Sequence, residues 1–123
     1  MATAPGPDLW LVRHGETAWS RTGRHTGRSD PPLTDEGEAQ GRALRPFLGG
    51  RRPALVLSSP LGRALRTAAL AGFDAPVTDS DLLEWDYGEY DGLTTTEIRA
   101  RVPGWTVWTA PCPGGETIDQ VAA

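Results

Sequence analysis

Leu9-Trp10-Leu11-Val12-Arg13-His14-Gly15-Glu16-Thr17 is the stretch whose reading decides the fold. Four apolar residues in succession, with bulky Trp10 and β-branched Val12 among them, predict a short strand buried on both faces, as inside a parallel sheet. The run stops at a cation and an imidazole, and Gly15 lets the backbone turn sharply and approach a ligand closely. Ligands of open α/β sheets bind beyond the carboxyl ends of the strands. A lone histidine at a strand end is commonly no more than a satisfied polar residue. Arg13 beside it, however, needs an anion or a carboxylate as a partner.

The segment that follows, residues 15–33, has no clean periodicity and reads as a loop. It holds Gly15, Gly23 and Gly27 interleaved with Arg21, Arg24, His25 and Arg28. Loops beyond about 12–15 residues are uncommon in compact domains and tend to be functional. This one reads as a wall of an anion site; the alternative is a solvated basic loop. Thr34 is the expected N-cap of a helix, with Asp35, Glu36 and Glu38 in its first turn. An apolar stripe of Ala39, Ala43, Leu44, Phe47 and Leu48 should face the core. Pro46 should disrupt the last turn, and Gly49-Gly50 should end the helix.

Ala54-Leu55-Val56-Leu57 predicts a second buried strand, which makes 9–57 a right-handed βαβ unit with parallel strands. Ser59 as N-cap and Pro60 at the first position open a further helix. Its Leu61, Ala64, Leu65 and Ala68 should face the core, with Arg63 and Arg66 on another face. Arg63, in the first turn, falls on the same sheet edge as Arg13 and His14, where a helix N-terminus already favours anions. Beyond it, Pro76-Val77-Thr78 suits an edge strand. Leu82 to Gly92 is acidic and aromatic, with glycines that preclude a stable helix. Thr94 and Glu97 form a capping box for a helix ending near Arg101, before Pro103. Trp105 and Trp108 are expected to cover a cleft or a core edge. Thr117 and Gln120 open another helix, within which the chain stops; a further part of the domain is therefore expected beyond Ala123. Residues 1–7 should form a loose tail.

A length of 123 residues suits one domain. Hydrophobic residues make up 38% and charged residues 23%, which excludes a disordered chain. The net charge of −4 argues against bulk attraction to nucleic acid. All twelve basic residues are arginine, suited to fixed, forked recognition of phosphate or carboxylate. The single cysteine, Cys112, excludes an intrachain disulfide and a cysteine metal cluster, and reads as a plain loop thiol. Met1 to Asp8, with no Lys or Arg and no apolar core, does not read as a signal peptide, and no apolar run nears the ~20 residues of a membrane span, so a cytoplasmic protein without a membrane partner is expected.

With these residues in place the chain resembles the histidine phosphatase superfamily, also called phosphoglycerate-mutase-like. The resemblance rests on Arg13-His14-Gly15-Glu16-Thr17; Pro32-Leu33-Thr34 with Gly37 and Gln40; Ser58 to Ala64 with Thr67-Ala68; Leu83-Glu84 with Gly88, Asp91 and Gly92; and Gly114-Gly115-Glu116. Thr26-Gly27, the run Glu84 to Gly92 and the Trp105/Trp108 pair look most like the small-sugar phosphatase branch that includes sedoheptulose bisphosphatase. The resemblance implies a single domain over 1–123 with a three-layer αβα fold around a mostly parallel sheet, incomplete at its C-terminal end.

The same resemblance implies a phosphomonoester hydrolase acting on a small phosphorylated metabolite without a cofactor or metal. His14 would be the nucleophile, its second ring nitrogen fixed by a backbone carbonyl. Arg13 and Arg63 would clamp the phosphoryl oxygens. Glu84 would be the general acid and base, its pKa raised by the aromatic surroundings of Trp85 and Tyr87. Ser20, Thr26, Gly27 and Tyr87 would line the substrate side. Ser20 stands where many members have Asn. The family's second histidine, in a His-Gly at the end of a later strand, has no counterpart here, because His25 lies in the loop; that strand, normally beside the first, would also fall past Ala123. Two alternatives accompany this reading: a phosphoglycerate-type mutase, and a non-catalytic phosphate-binding module.

Overall fold

Two helices packed on one another, α2 (Asp35–Leu48) and α3 (Gly62–Leu70), carry the loops that follow them. The computed structural model describes residues 6–123; of the expected tail 1–7, residues 1–5 lie outside the described residues. Thr34 caps α2 as expected, its hydroxyl accepting the Gly37 N–H at 3.1 Å. The helix runs through Pro46 to Leu48 rather than breaking there. A proline removes one ladder hydrogen bond, and so near an exposed end that loss does not stop the helix.

The buried face of α2 is Gly37, Gly41 and Leu48; of the predicted stripe only Leu48 is buried, while Leu44 is half-buried, Ala39 and Ala43 are exposed, and Phe47 is 64% exposed. The reason is closeness of approach: a Cβ on Gly41 would come 3.0 Å from Leu70 Cβ of α3. Arg45 reaches across and donates from Nε to the Leu70 carbonyl at 2.6 Å. α3 likewise turns Arg63, Thr67 and Leu70 inward, so Arg63 is on its buried face and not away from it. Its N-cap is Leu61 rather than Ser59, whose hydroxyl instead accepts the Leu61 N–H.

β1 (Leu57–Ser58) and β2 (Val77–Thr78) pair in parallel, Leu57 opposite Val77 and Ser58 opposite Thr78. With α3 between them they form a βαβ unit, and the expected edge strand at 76–78 is its second strand. The βαβ unit expected over 9–57 is not formed. Residues 9–12 make no ladder among the described residues, and Leu9 and Leu11 are 82% and 88% exposed. Of the run 54–57 only Leu57 joins a strand, and Leu55 is exposed. Hydropathy records that a segment calls for burial; it does not identify the strand that would cover it. Trp10 finds partial cover, edge-on to Phe47 and under the Arg51 guanidinium at 4.0 Å.

The loop after His14 is less irregular than its composition suggests. It contains one helical turn, α1 (Ala18–Arg21), closed by a capping box between Thr17 and Ser20. Further on, one short 3-10 turn at Ser80–Leu82 leads into the acidic, aromatic segment and another at Gly88–Tyr90 lies within it. Helices α4 (Thr95–Arg101) and α5 (Ile118–Ala122) follow, each opened by the expected capping box. Tyr90, Ile98, Trp105 and Cys112 form a small core for this half, so Cys112 is a buried core thiol rather than a loop one, and burial pushes its pKa up. Trp108 is exposed, edge-on to Trp85. No helix among the described residues is long and apolar enough to cross a membrane.

Candidate active site

His14 sits half-buried, with Nδ1 2.7 Å from the Gly15 carbonyl oxygen. A carbonyl only accepts, so Nδ1 carries the proton and Nε2 keeps its lone pair. Burial is the largest influence on this imidazole and lowers its pKa below 6.5; the Gly15 bond opposes that, while Arg63 and Arg13 lower it further and Glu84 raises it. The net result favours a neutral ring with a free nitrogen, the form a nucleophile needs.

The peptide next to His14 is fixed from two sides. Thr67 Oγ1 of α3 accepts the buried Gly15 N–H at 3.0 Å and donates to the Arg63 carbonyl at 2.8 Å. On the other side Gly15 lies against α2, where a Cβ would fall 2.4 Å from the Gly37 carbonyl oxygen. Glu16 is held by α2 as well: its N–H donates to Gln40 Oε1 at 2.9 Å, and its carboxylate accepts the Thr34 hydroxyl at 2.8 Å.

Arg63 is 3% exposed yet forms its bonds with the loop at 26–30. Nη1 donates to the Ser29 carbonyl at 2.6 Å, and Nη2 to those of Gly27 and Thr26 at 3.0 and 3.2 Å. Asp91 holds the same loop by its donors, accepting the Gly27 N–H at 2.6 Å together with the Ser29 N–H and hydroxyl. Asp30 completes the arrangement. Its carboxylate takes the Gly62 and Arg63 N–H groups at 2.6 and 3.2 Å. The N-terminus of α3, read from sequence as an anion site, is thus occupied by the chain's own carboxylate.

Arg13 is exposed and makes no hydrogen bond or ion pair among the described residues, which leaves its fork free. Glu84 is exposed too, its Oε1 accepting the N–H of the next residue, Trp85, at 2.9 Å. The aromatic burial expected around this carboxyl is not found. Trp85 turns elsewhere, with Nε1 donating to the Glu116 carbonyl at 3.1 Å and its ring against Trp108. Tyr87 is half-buried; burial first, and Glu84 and Cys112 next, push its phenol up to about 12, so it is a neutral hydrogen-bond donor.

Gly27 meets this segment directly: a Cβ on it would come 2.5 Å from the Trp85 carbonyl oxygen and 3.1 Å from the Tyr87 nitrogen, while the Thr26 hydroxyl donates to the Arg24 carbonyl at 3.2 Å. Ser20 spends its hydroxyl on the Thr17 capping box. His25 packs on Tyr87 and Trp105 with Nε2 3.0 Å from the Thr95 hydroxyl. Sequence reasoning assigned no role to Thr67, Asp91, Asp30 or Glu116. Three of them stand within quoted motifs, but their partners lie 30 to 64 residues away. Nothing in the sequence around Asp30 marks it as the cap of a distant helix.

Residues 9–123 match the family described as histidine phosphatase superfamily, branch 1. An acid phosphatase of Mycobacterium tuberculosis is 49% identical over 92% of this chain and 57% of its own length. Sedoheptulose 1,7-bisphosphatase of Saccharomyces cerevisiae is 34% identical over 94% of this chain and 51% of its own length. A solved structure of an open reading frame from M. tuberculosis superposes with a TM-score of 0.81 at 48% identity, covering 87% of this chain and 56% of that one. The chain therefore spans little more than half the length of these relatives, with the α/β fold of the solved one.

Proposed function

The chain belongs to the histidine phosphatase superfamily, and from that premise we propose that it acts as a phosphomonoester hydrolase on a small phosphorylated metabolite, a sugar phosphate or bisphosphate. The observation that carries this reading is His14, neutral, with Nδ1 on the Gly15 carbonyl and Nε2 free. Nε2 attacks phosphorus, the bond to the leaving oxygen breaks, and Glu84 gives its proton to that oxygen. Glu84 then takes a proton from water, the water attacks the phosphohistidine, the P–N bond breaks and inorganic phosphate leaves. Arg13, with its free fork, binds phosphoryl oxygens directly. Arg63 acts twice, holding the 26–30 loop by its Nη atoms and keeping a buried positive charge beside His14.

Thr26, Gly27 and Tyr87 form the substrate side, with the Tyr87 hydroxyl as donor. Relatives named acid phosphatase and sedoheptulose 1,7-bisphosphatase support the substrate class. The reading sets the protein in the cytoplasm, where phosphorylated sugars are made and consumed. The experiment is phosphate release from an aryl phosphate and from several sugar bisphosphates, comparing wild type with His14→Ala. Turnover lost in the variant is the expected result; turnover that survives it overturns the phosphohistidine. Label retained on phosphoglycerate with little free phosphate would select a mutase instead.

A further inference from the structure

Gly114-Gly115-Glu116 has no part in the chemistry above, yet it binds the segment that carries Glu84. The Glu116 N–H donates to the Asp86 carbonyl at 2.8 Å, and its Oε2 accepts the Asp86 N–H at 2.8 Å. Its carbonyl accepts Trp85 Nε1 at 3.1 Å. Both residues following Glu84 are therefore fixed by one glutamate. The glycine before it makes this closeness possible, because a Cβ on Gly115 would fall 2.2 Å from the Asp86 carbonyl oxygen. The other carboxylate oxygen, Oε1, pairs with Arg28 Nη2 at 3.1 Å. Arg28 directly follows Gly27 in the loop held by Arg63 and Asp91. A single side chain thus ties the acid's segment to the phosphate-side loop.

We infer that Glu116 is the positioning residue of the general acid–base Glu84, and that Arg28 sets Glu116, and with it Glu84, in register with the 26–30 loop. The inference rests on the catalytic reading of Glu84 given above. An exposed carboxyl on a mobile segment would give a proton to the leaving oxygen only in a fraction of encounters. A segment held at Trp85 and Asp86 confines it to a narrow arc, and general acid catalysis, worth about 10²–10⁴-fold, depends on that placement.

A merely structural brace and a positioning residue differ in which substrates suffer. A nitrophenolate leaves without a proton, whereas an alkoxide needs one. The test measures kcat/KM, which ends with departure of the leaving group, for p-nitrophenyl phosphate and for an alkyl phosphate such as glycerol phosphate. It uses the full-length protein and the variants Glu116→Ala, Glu116→Gln, Arg28→Ala and Glu84→Gln. Glu116→Ala should lower the alkyl phosphate value about tenfold or more and the aryl value less than about threefold. Glu116→Gln keeps an acceptor for the Asp86 N–H but loses the ion pair, so it should match Arg28→Ala and fall between. In a Glu84→Gln background, Glu116→Ala should have no further effect on the alkyl phosphate. Equal losses on both substrates, or additive losses in the double variant, overturn the inference while leaving Glu84 as the acid. A Glu84→Gln variant indifferent to the leaving group overturns the catalytic reading, and the inference falls with it. Should Glu116→Ala not fold, Glu116→Gln and the partly exposed Arg28→Ala decide by the same comparison.

Discussion

Replacing Thr67 by valine tests whether the peptide that follows His14 is held by α3. The two side chains have nearly the same shape and both are β-branched, so burial and helix propensity change little. Thr67 is buried, and its hydroxyl accepts the buried Gly15 N–H at 3.0 Å. Valine leaves that N–H with no acceptor, a loss of about 1–3 kcal/mol for a buried donor. The hydroxyl's second bond, to the Arg63 carbonyl, adds little, since that carbonyl lies inside α3 and is served by the helix ladder. A destabilisation of about 2 kcal/mol is expected, read as a lower urea midpoint at unchanged slope. The catalytic effect comes through the Gly15 carbonyl, which orients His14 Nδ1; a looser peptide should lower kcat/KM by about tenfold. Thr67→Ser keeps the hydroxyl and should recover most of both. A valine variant within about 0.5 kcal/mol of wild type, the usual range for an indifferent substitution, or a serine variant as impaired as valine, would refute the reasoning.

Gly37→Ala sets two effects against each other. Alanine improves helix propensity by about 1 kcal/mol, but its Cβ would stand 2.1 Å from the Glu16 carbonyl oxygen, against backbone that has no rotamer to yield. Overpacking of about 1–3 kcal/mol, at its upper end here, should win, so urea unfolding should show a net loss, while Gly50→Ala, with nothing within 4 Å, should be near neutral. For pH, the lowered pKa of His14 means that between that value and 6.5 the unfolded chain binds a proton the folded chain does not. Stability should therefore fall as pH drops through that window, and the acid limb of kcat/KM should centre below 6.5. Arg13→Gln removes one of the charges that lower His14, so the titration midpoint of the ring, followed by NMR, should move up; an unchanged or lower midpoint would contradict the electrostatic assignment.

How much of this was legible in the sequence divides along the range of the interaction. Thr34, Thr94 with Glu97, and Thr117 with Gln120 were readable because a cap acts over three residues. Arg13-His14-Gly15 was readable as a candidate site because its members are contiguous. Residues 9–12 and 54–57 misled because an apolar run does not identify its partner strand. The faces of α2 and α3 misled for a different reason. Periodicity ranks residues by hydropathy, whereas the contact between these helices is set by Gly41, which permits closeness, and the buried Arg63 and Thr67 turn inward because their side chains bond to backbone there. Asp30 and Asp91 act on backbone N–H groups 32 to 64 residues away, and no local pattern encodes that.

The position of His14 nevertheless survives the exposure of the segment before it, and the spacing of one motif explains why. Thr34, Gly37 and Gln40 recur every three residues along the first turns of α2, and neighbours at that spacing share a face. All three touch the residues just after His14: Thr34 takes the Glu16 carboxylate and its N–H meets the Glu16 carbonyl, Gly37 lies against Gly15 and Glu16, and Gln40 accepts the Glu16 N–H. Thr67 closes the arrangement from α3. The His14–Gly15 peptide is thus registered on two helices through its C-terminal side. A substitution at Gly37 should consequently disturb the His14–Gly15 geometry. The glycines and hydroxyls of these motifs specify how closely two stretches of backbone approach, which hydropathy cannot express.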